Sequence, residues 1–177
     1  DEAIAAWAER GLRVNTVHPS LVYGPPGKKQ GFNALLRMVL KGRMPAIIGA
    51  DRRLTLVHVD DVADGMARVI ERAEPGQRYL LTGESVRLGD LVERAARLGD
   101  VRPPRLKLSI GTAALLMLLM KPVYALRGHR PPLSPQQLAS LKRHWNFDDA
   151  KARAELEWRP RSLDDGLPPT VEYLKST

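Results

Sequence analysis

The stretch that constrains this chain most is residues 12–27, which read LRVNTVHPSLVYGPPG. Its first six residues are rich in strand-forming side chains, and they lead through a His-Pro-Ser step to a Gly-Pro-Pro-Gly turn. This pattern predicts a buried strand over residues 12–17 that delivers a loop to the edge of a sheet. Because ligands of open α/β sheets bind in loops beyond the carboxyl ends of strands, the loop after this strand is the first candidate for a binding site.

Further along the chain, helical and extended patterns follow one another. Apolar residues recur at helical spacing from Phe32 to Leu40, and again from Leu88 to a stop at Gly99. A third helix is predicted to place five apolar side chains on one face: Val62, Met66, Val69, Ile70 and Ala73. Strands are predicted at residues 46–48, 54–59 and 78–82.

Composition limits the kinds of site that the chain can form. With 177 residues, of which 44% are hydrophobic, the chain is long enough to bury a core. It contains no Cys, which excludes a disulfide framework and thiolate metal sites.

The net charge of +8 is concentrated in one region. Residues 1–100 carry 15 basic and 13 acidic side chains, whereas residues 101–161 carry 12 basic and 4 acidic ones. An anionic surface or substrate could be met there, although a solvated basic face is the simplest interpretation. A nucleic-acid partner is not predicted, because the basic residues are scattered and lack interleaved aromatics.

A run of 13 uncharged residues, 108–120, lies between Lys107 and Lys121. A membrane span needs about 20 apolar residues, so this run is too short to cross a bilayer. We predict a buried helix. The alternative is a helix lying on a membrane surface, in which residues 108–130 make a peripheral contact and their basic side chains meet anionic headgroups.

Two histidines and a carboxylate pair are candidates for acid/base or metal chemistry. His18 follows the first strand, and His58 stands beside Asp60 and Asp61. Adjacent carboxylates at a helix start are explained more simply by capping and by the helix dipole. We therefore interpret these residues as structural and predict no metal site.

Three stretches, in order, resemble motifs of the extended short-chain dehydrogenases/reductases, which are NAD(P)-dependent epimerases, dehydratases and reductases. The first is HPSLVYGPPG, which is similar to the segment after that family's catalytic Tyr-x-x-x-Lys helix. The second and third are LTLVHVDDVADGMARVI at residues 54–70 and WNFDDAKARAELEWRPRSLDDGL at residues 145–167. Together the three stretches span most of the chain.

The resemblance implies an α/β fold: the C-terminal part of a Rossmann-like parallel sheet plus a small mixed α/β substrate-binding domain. Residues 1–27 would end the dinucleotide-binding domain. Residues 28–177 would form mainly the substrate-binding domain, with residues 78–98 returning to the Rossmann sheet. The cofactor would be NAD or NADP, and the enzyme would be cytoplasmic, or membrane-associated if residues 108–130 meet a bilayer.

The resemblance also implies site residues. The loop alongside the nicotinamide would comprise Pro19, Ser20, Leu21 and Val22. Its proline has no N–H and a fixed φ, so it would hold the backbone open while neighbouring amides meet a carboxamide. The substrate would contact Tyr23, Phe32, Asn33 and Arg53, although core packing is the favoured role of Phe32.

The family's catalytic parts are absent from this sequence. There is no Gly-rich dinucleotide turn, and none of the four tyrosines has Lys four residues later. We therefore predict no catalytic residue here, expect the catalytic Tyr and Lys upstream of Asp1, and interpret the chain as a C-terminal half that is inactive alone. In the family, the helix that ends at Gly11 often pairs subunits, so a homodimer could form.

Two departures from the family pattern are informative. Sugar-nucleotide members usually carry Arg four residues before the position of His58, where this chain has Leu54, and Arg53 would point to the opposite strand face. This favours the branch resembling dihydroflavonol reductases and 3β-hydroxysteroid dehydrogenases. The alternatives are a sugar-nucleotide epimerase or dehydratase and a non-catalytic binding or scaffolding module. Glu157 also replaces the usual Gly after a helix, which predicts a strained turn.

Overall fold

The computed structural model describes residues 11, 14–27, 31–126 and 147–176, with residues 121–126 described by their backbone only. The strands within these residues are β1 (Thr16–Pro19), β2 (Leu21–Tyr23), β3 (Ala46–Ile48), β4 (Arg53–His58), β5 (Arg78–Leu81), β6 (Glu84–Arg87) and β7 (Leu106–Leu108). The helices are α1 (Gly31–Leu40), α2 (Val59–Arg72), α3 (Leu88–Leu98), α4 (Ile110–Leu126), α5 (Ala150–Leu156) and α6 (Leu163–Lys175).

The strands form three small sheets. β1 pairs with β5 and β3 pairs with β7, in both cases in parallel. The central sheet has the order β2-β4-β6, in which β2 runs parallel to β4 and β6 runs antiparallel to it. The predicted mixed α/β fold with parallel strands is confirmed.

Strand β4 separates two hydrophobic cores, because neighbouring side chains of a strand point to opposite faces. Its residues Leu54 and Leu56 lie in core A, and Val57 lies in core B. Core A is formed by β2, β4 and β6 with helices α1, α3 and α6. Core B is formed by α2, β5, α5 and the fully buried Trp158.

The predicted bounds of several elements agree with the structure. Helix α3 covers Leu88–Leu98 and is followed by Gly99, whose N–H bonds to the carbonyl of Ala95. Strand β3 covers Ala46–Ile48 as predicted. The first strand lies later than predicted, at Thr16–Pro19 instead of residues 12–17.

Strands β5 and β6 divide the segment that was predicted to return to the first sheet. Within residues 78–98, only β5 pairs with β1. β6 pairs with β4, and the buried residues of α3 belong to core A. Neither β6 nor β7 was predicted, since they are only four and three residues long.

The predicted apolar face of α2 is wrong at two positions. Val62, Val69 and Ala73 are buried as expected, but Met66 and Ile70 are exposed. Gly65 occupies the buried face instead: a Cβ there would lie 2.5 Å from Leu81 Cδ1 and 3.0 Å from Trp158 Nε1. The close approach of the Trp158 indole therefore determines which face of α2 is buried.

The predicted buried helix at residues 108–120 is also corrected. Helix α4 buries Ile110 and Ala113, while Leu115, Leu116, Leu118 and Leu119 are exposed. An apolar helix needs neighbours on all sides to be buried, and α4 packs against Ile48 of β3 along one stripe. Among the described helices, none combines the length and hydrophobicity needed to cross a membrane.

Candidate functional site

The candidate site begins where β1 and β5 end side by side. Pro19 is opposite Leu81 in the parallel register, and the Ser20 N–H continues the pairing by donating to the Leu81 carbonyl at 3.1 Å. The chain then enters β2 directly. Of the predicted loop of residues 19–22, only Ser20 lies outside a strand, because Pro19 ends β1 and Leu21 and Val22 begin β2. This segment, the 19–22 loop, lies at the carboxyl edge of β1 and β5.

This loop is partly open to solvent. Pro19 and Leu21 are exposed, and Ser20 and Val22 are half-buried. The Ser20 hydroxyl oxygen is buried and has no hydrogen-bond partner among the described residues. A buried hydroxyl without a hydrogen-bond partner destabilises the folded state. A ligand group that bonds to the Ser20 hydroxyl would remove this cost.

Tyr23 of β2 is buried beside His58 of the neighbouring strand β4. The two residues are register partners, and their rings meet edge to face with centroids 5.2 Å apart. The Tyr23 hydroxyl lies so close to Gly166 that a side chain at that position would collide with it. Burial, together with the Asp61 carboxylate, raises the pKa of Tyr23 above its ordinary value.

His58 is the N-cap of α2. Its Nδ1 accepts the Asp60 N–H at 3.3 Å, which requires that nitrogen to be unprotonated. Burial and the nearby Arg161 guanidinium lower the pKa of His58 from its ordinary 6.5, so the ring is neutral at pH 7. Gly24, at φ +111°, passes so near that a Cβ would lie 2.6 Å from Nε2. His58 thus supports the end of β2 by packing.

Asn33 holds the turn that follows Tyr23. Its side-chain oxygen accepts the Gly24 N–H at 3.1 Å, and its nitrogen donates to the carbonyls of Gly24 at 2.7 Å and Gly27 at 2.6 Å. The side chain is buried between α1 and this turn. Its polar atoms are therefore engaged with the backbone in this conformation.

Asp60 and Asp61, the carboxylate pair, have different partners. Asp61 accepts two hydrogen bonds from Arg161, one from the backbone N–H at 3.0 Å and one from Nε at 2.9 Å. The Asp61 carbonyl accepts the Trp158 indole N–H at 2.8 Å. Asp60 is exposed and reaches Arg161 only at 3.5 Å. Within the described part of the chain, no three His, Asp or Glu side chains group closely enough to hold a metal ion.

Arg161, Trp158 and Glu84 support this region, and sequence reasoning did not single them out. Glu84 accepts the Leu163 N–H at 2.9 Å at the start of α6. The WRP stretch was visible as part of a motif, but its partner Asp61 lies about 100 positions earlier. No local pattern could have paired them.

The structure brings three of the four predicted substrate residues together. Tyr23, Phe32 and the neighbouring Asn33 are buried where β2 meets α1. Arg53 is exposed at the opposite end of β4, roughly 17 Å from His58 by strand rise, and its guanidinium donates weakly to the Ser85 carbonyl at 3.5 Å. Arg53 is therefore not part of this cluster.

Comparisons with known proteins agree with this geometry. Residues 1–82 match the family model described as the NAD dependent epimerase/dehydratase family. The crystal structure of gox2253 superposes with a TM-score of 0.78 at 30% identity, covering 99% of this chain and 53% of that chain. A comparison with curated proteins finds no match.

Two further solved structures show the same fold. PA4631, a nucleoside-diphosphate-sugar epimerase from Pseudomonas aeruginosa, gives a TM-score of 0.72 at 24% identity, covering 99% of this chain and 52% of that one. DesIV, a dTDP-glucose 4,6-dehydratase from Streptomyces venezuelae with NAD and TYD bound, gives 0.69 at 20% identity, with 99% and 48% covered. The chain thus spans about half the length of these structures.

Proposed function

We propose that this chain is the C-terminal part of an NAD(P)-dependent oxidoreductase that transfers hydride at a carbonyl or hydroxyl carbon of a small molecule. The observation that carries the proposal is the open loop of residues 19–22, at the carboxyl edge of parallel strands and inside the region that the family model matches. In open α/β folds this edge is where ligands bind.

The loop fits a nicotinamide carboxamide in its chemistry. The exposed Pro19 and Leu21 offer apolar contact to a ring, and the partnerless Ser20 hydroxyl offers a donor and an acceptor. When bound, the cofactor supplies or accepts the hydride. This chain's contribution is to bind and orient the ring.

The residues behind the loop would keep it in place. Tyr23 packs on His58, and Asn33 fixes the turn from Gly24 to Gly27. Tyr23, His58 and Asn33 are all buried. Such support from packed side chains is what holds a binding loop within the tolerance that hydride transfer requires.

The proton donor would come from outside this chain. A catalytic Tyr needs a lowered pKa, whereas burial and a hydrogen bond to Glu155 raise the pKa of Tyr79 to about 12. Burial likewise raises the pKa of Tyr23, and the Tyr173 hydroxyl donates to the Pro26 carbonyl at 2.7 Å. The environments of Tyr23 and Tyr79 therefore do not activate a phenol.

The substrate would be a weakly charged carbonyl or hydroxyl compound, as in the branch resembling dihydroflavonol reductases and 3β-hydroxysteroid dehydrogenases. Leu54 is buried in core A, at the position where sugar-nucleotide enzymes usually carry Arg. The exposed Arg53 is on the other face of β4. The Tyr23–Asn33 region is therefore without a cation from this strand to meet a diphosphate.

A second candidate is a sugar-nucleotide epimerase or dehydratase. It is favoured by the description of the matching family model and by the names of PA4631 and DesIV. Thermal-shift screening of the longer protein against UDP-sugars, steroids and flavonoids separates the two candidates. A shift with UDP-sugars alone would overturn the reductase assignment.

The 177 residues alone are expected to be inactive. With NADH or NADPH and a panel of carbonyl substrates, the absorbance of the reduced nicotinamide should fall no faster than in a buffer control. Appreciable hydride transfer by this chain alone would refute the proposed dependence on an upstream half.

The loop itself is tested by Ser20→Ala in the longer protein. We expect NAD(P)H to bind several-fold more weakly, because the carboxamide loses one hydrogen bond. Ser85→Ala is the matched control, since Ser85 also has a buried hydroxyl without a described partner but lies on β6. If titrations followed by nicotinamide fluorescence give the same NAD(P)H affinity for the two variants, Ser20 is not part of the cofactor site.

A further inference from the structure

Helix α4 has two opposite faces with different surroundings. Ile110 and Ala113 are buried, and Met117 packs beside them, so positions three and four apart form one stripe against the body of the protein. Leu115, Leu118 and Leu119 share the reverse side, again at spacings of three and four. The side away from the body is thus a continuous leucine face.

This leucine face is strongly exposed. The exposed fractions are 58% for Leu115, 51% for Leu116, 66% for Leu118 and 65% for Leu119. Leu106, just before the helix, is 53% exposed. Single exposed apolar residues are common, but a contiguous group of this kind marks an interaction site.

The segment that carries the leucine face has only basic charged residues. Residues 101–126 contain four Lys or Arg residues and no Asp or Glu, and Lys107 is paired with Glu93 of α3 at 2.9 Å. Arg102 and Arg105 are exposed and have no ion pair among the described residues. Some Arg side chains elsewhere have carboxylate partners, as in the pairs Arg68–Asp64, Arg94–Asp164 and Arg153–Asp149.

This combination selects the kind of partner. An apolar face beside unpaired cations is complementary to an anionic lipid surface, where acyl chains take up the leucines and headgroups meet the cations. A second copy of the chain is disfavoured, because a two-fold contact would bring the same cations against each other. A crossing helix is disfavoured because 17 residues span only about 26 Å, less than the hydrocarbon core.

We propose that the leucine face of α4, together with Arg102 and Arg105, docks on the surface of an anionic membrane. The helix lies in the interface plane, with its buried stripe against β3 and its leucines in the headgroup–acyl boundary. The proposal does not depend on the hydride-transfer function.

Vesicle co-sedimentation of the full chain tests this docking. The probes are 100 nm vesicles of phosphatidylcholine alone and of phosphatidylcholine with phosphatidylglycerol in equal parts. We expect sedimentation with the mixed vesicles and at least about tenfold weaker partition to the neutral ones, with the former reduced by added salt. Equal partition to both, or none to either, would overturn the proposal.

Two pairs of variants locate the contact. Leu115→Gln with Leu119→Gln should weaken binding by about tenfold or more, whereas Ile70→Gln, which changes a side chain that is 84% exposed on α2, should not. Arg102→Gln with Arg105→Gln should weaken it similarly. Arg159→Gln with Lys175→Gln removes the same charge from exposed positions elsewhere and should have a smaller effect.

Folding and self-association are followed in the same samples. Circular dichroism should be unchanged in all variants, because every substituted side chain is exposed. If the leucine variants convert a dimer to a monomer in size-exclusion chromatography while vesicle binding is absent, the face is a subunit contact and the membrane proposal is wrong.

Discussion

His58 illustrates how a residue with catalytic chemistry can act as a structural support. The motif places it beside two carboxylates, which suggested a cluster for proton transfer or metal binding. In the structure its Nδ1 accepts a helix N–H, its ring packs on Tyr23, and Gly24 covers Nε2. The hydrogen bond to Nδ1 requires the neutral ring, and Tyr23 and Gly24 pack against that ring.

The stability of the protein should therefore depend on the protonation of His58. Burial lowers its folded-state pKa below 6.5, so the unfolded state binds more protons in acid. The free energy of unfolding should be highest above pH 6.5 and fall on acidification, by up to about 1.4 kcal/mol per pH unit. Urea titrations of wild type and His58→Gln between pH 5 and 8 should show this dependence only in wild type.

The exposed His18 provides the control for that experiment. His18→Gln should retain the wild-type pH profile. If His58→Gln keeps the wild-type pH dependence of the free energy of unfolding, another group controls stability in acid.

Asp60 and Asp61 are adjacent in sequence, yet we expect very different effects from their removal. Asp61→Ala takes away two hydrogen bonds to Arg161 at a mostly buried position, which should lower the free energy of unfolding by about 2–3 kcal/mol. Asp60→Ala removes an exposed carboxylate and should change it by less than about 0.5 kcal/mol. Urea denaturation at pH 7 distinguishes the two, and similar losses would contradict the assigned roles.

At the scale of elements, the end of α5 is where a local rule is broken. Glu157 closes this helix in the left-handed conformation, with φ 53° and ψ 29°. The strained turn predicted from the missing Gly is therefore present. The Glu157 carbonyl accepts a hydrogen bond from Arg68, and the Glu157 carboxylate pairs with Arg72 at 2.6 Å. The arginines of α2 thus hold a turn that Gly would adopt freely.

Comparing Glu157→Gly with Glu157→Ala separates strain from ion pairing. Both variants lose the exposed pair with Arg72, but only Gly relieves the left-handed backbone. The Gly variant should exceed the Ala variant in free energy of unfolding by about 1 kcal/mol. Equal thermal midpoints would show that the turn carries no strain.

The two helices whose faces were mispredicted share one cause. Apolar spacing on α2 allowed two overlapping faces, and the contact with Trp158 selected the one containing Gly65. In residues 113–120 of α4 every side chain is apolar, so spacing carried no information about which stripe packs. Periodicity predicts that a helix is buried, but the partner decides where.

At the scale of the molecule, residues 147–176 connect the two cores. Trp158 and Leu156 fill core B, whereas Leu163 and Leu167 fill core A. Between them, Arg161 bonds to Asp61 at the start of α2. The C-terminal segment therefore couples both sides of β4.

We expect the two cores to unfold together. In a Trp7→Phe and Trp145→Phe background, Trp158 is the only Trp and reports on core B through its fluorescence. Far-UV circular dichroism, dominated by the helices of both cores, should give the same urea midpoint. Arg161→Ala should lower both midpoints equally. Separated transitions would show that the cores are independent.

The position of residues 19–22 at a sheet edge could be predicted from sequence, because it follows from a strand pattern that ends in Pro19, and such a pattern is a local property. The partners of Asn33 and Asp61 are not local: Asn33 satisfies a turn six to nine residues earlier, and Asp61 binds Arg161 about 100 residues later. Arg53 was placed with the substrate residues although its face and its end of β4 lie away from them.

Helix ends and strand positions were legible in the chain because caps, glycines and apolar spacing act over a few residues, as at Gly99 and at Ser162, which accepts the Asp165 N–H. Core A, core B and the exposed leucine face of α4 emerged only in three dimensions. Burial depends on which distant segment comes to lie alongside, and that choice is made by the packing of the whole chain.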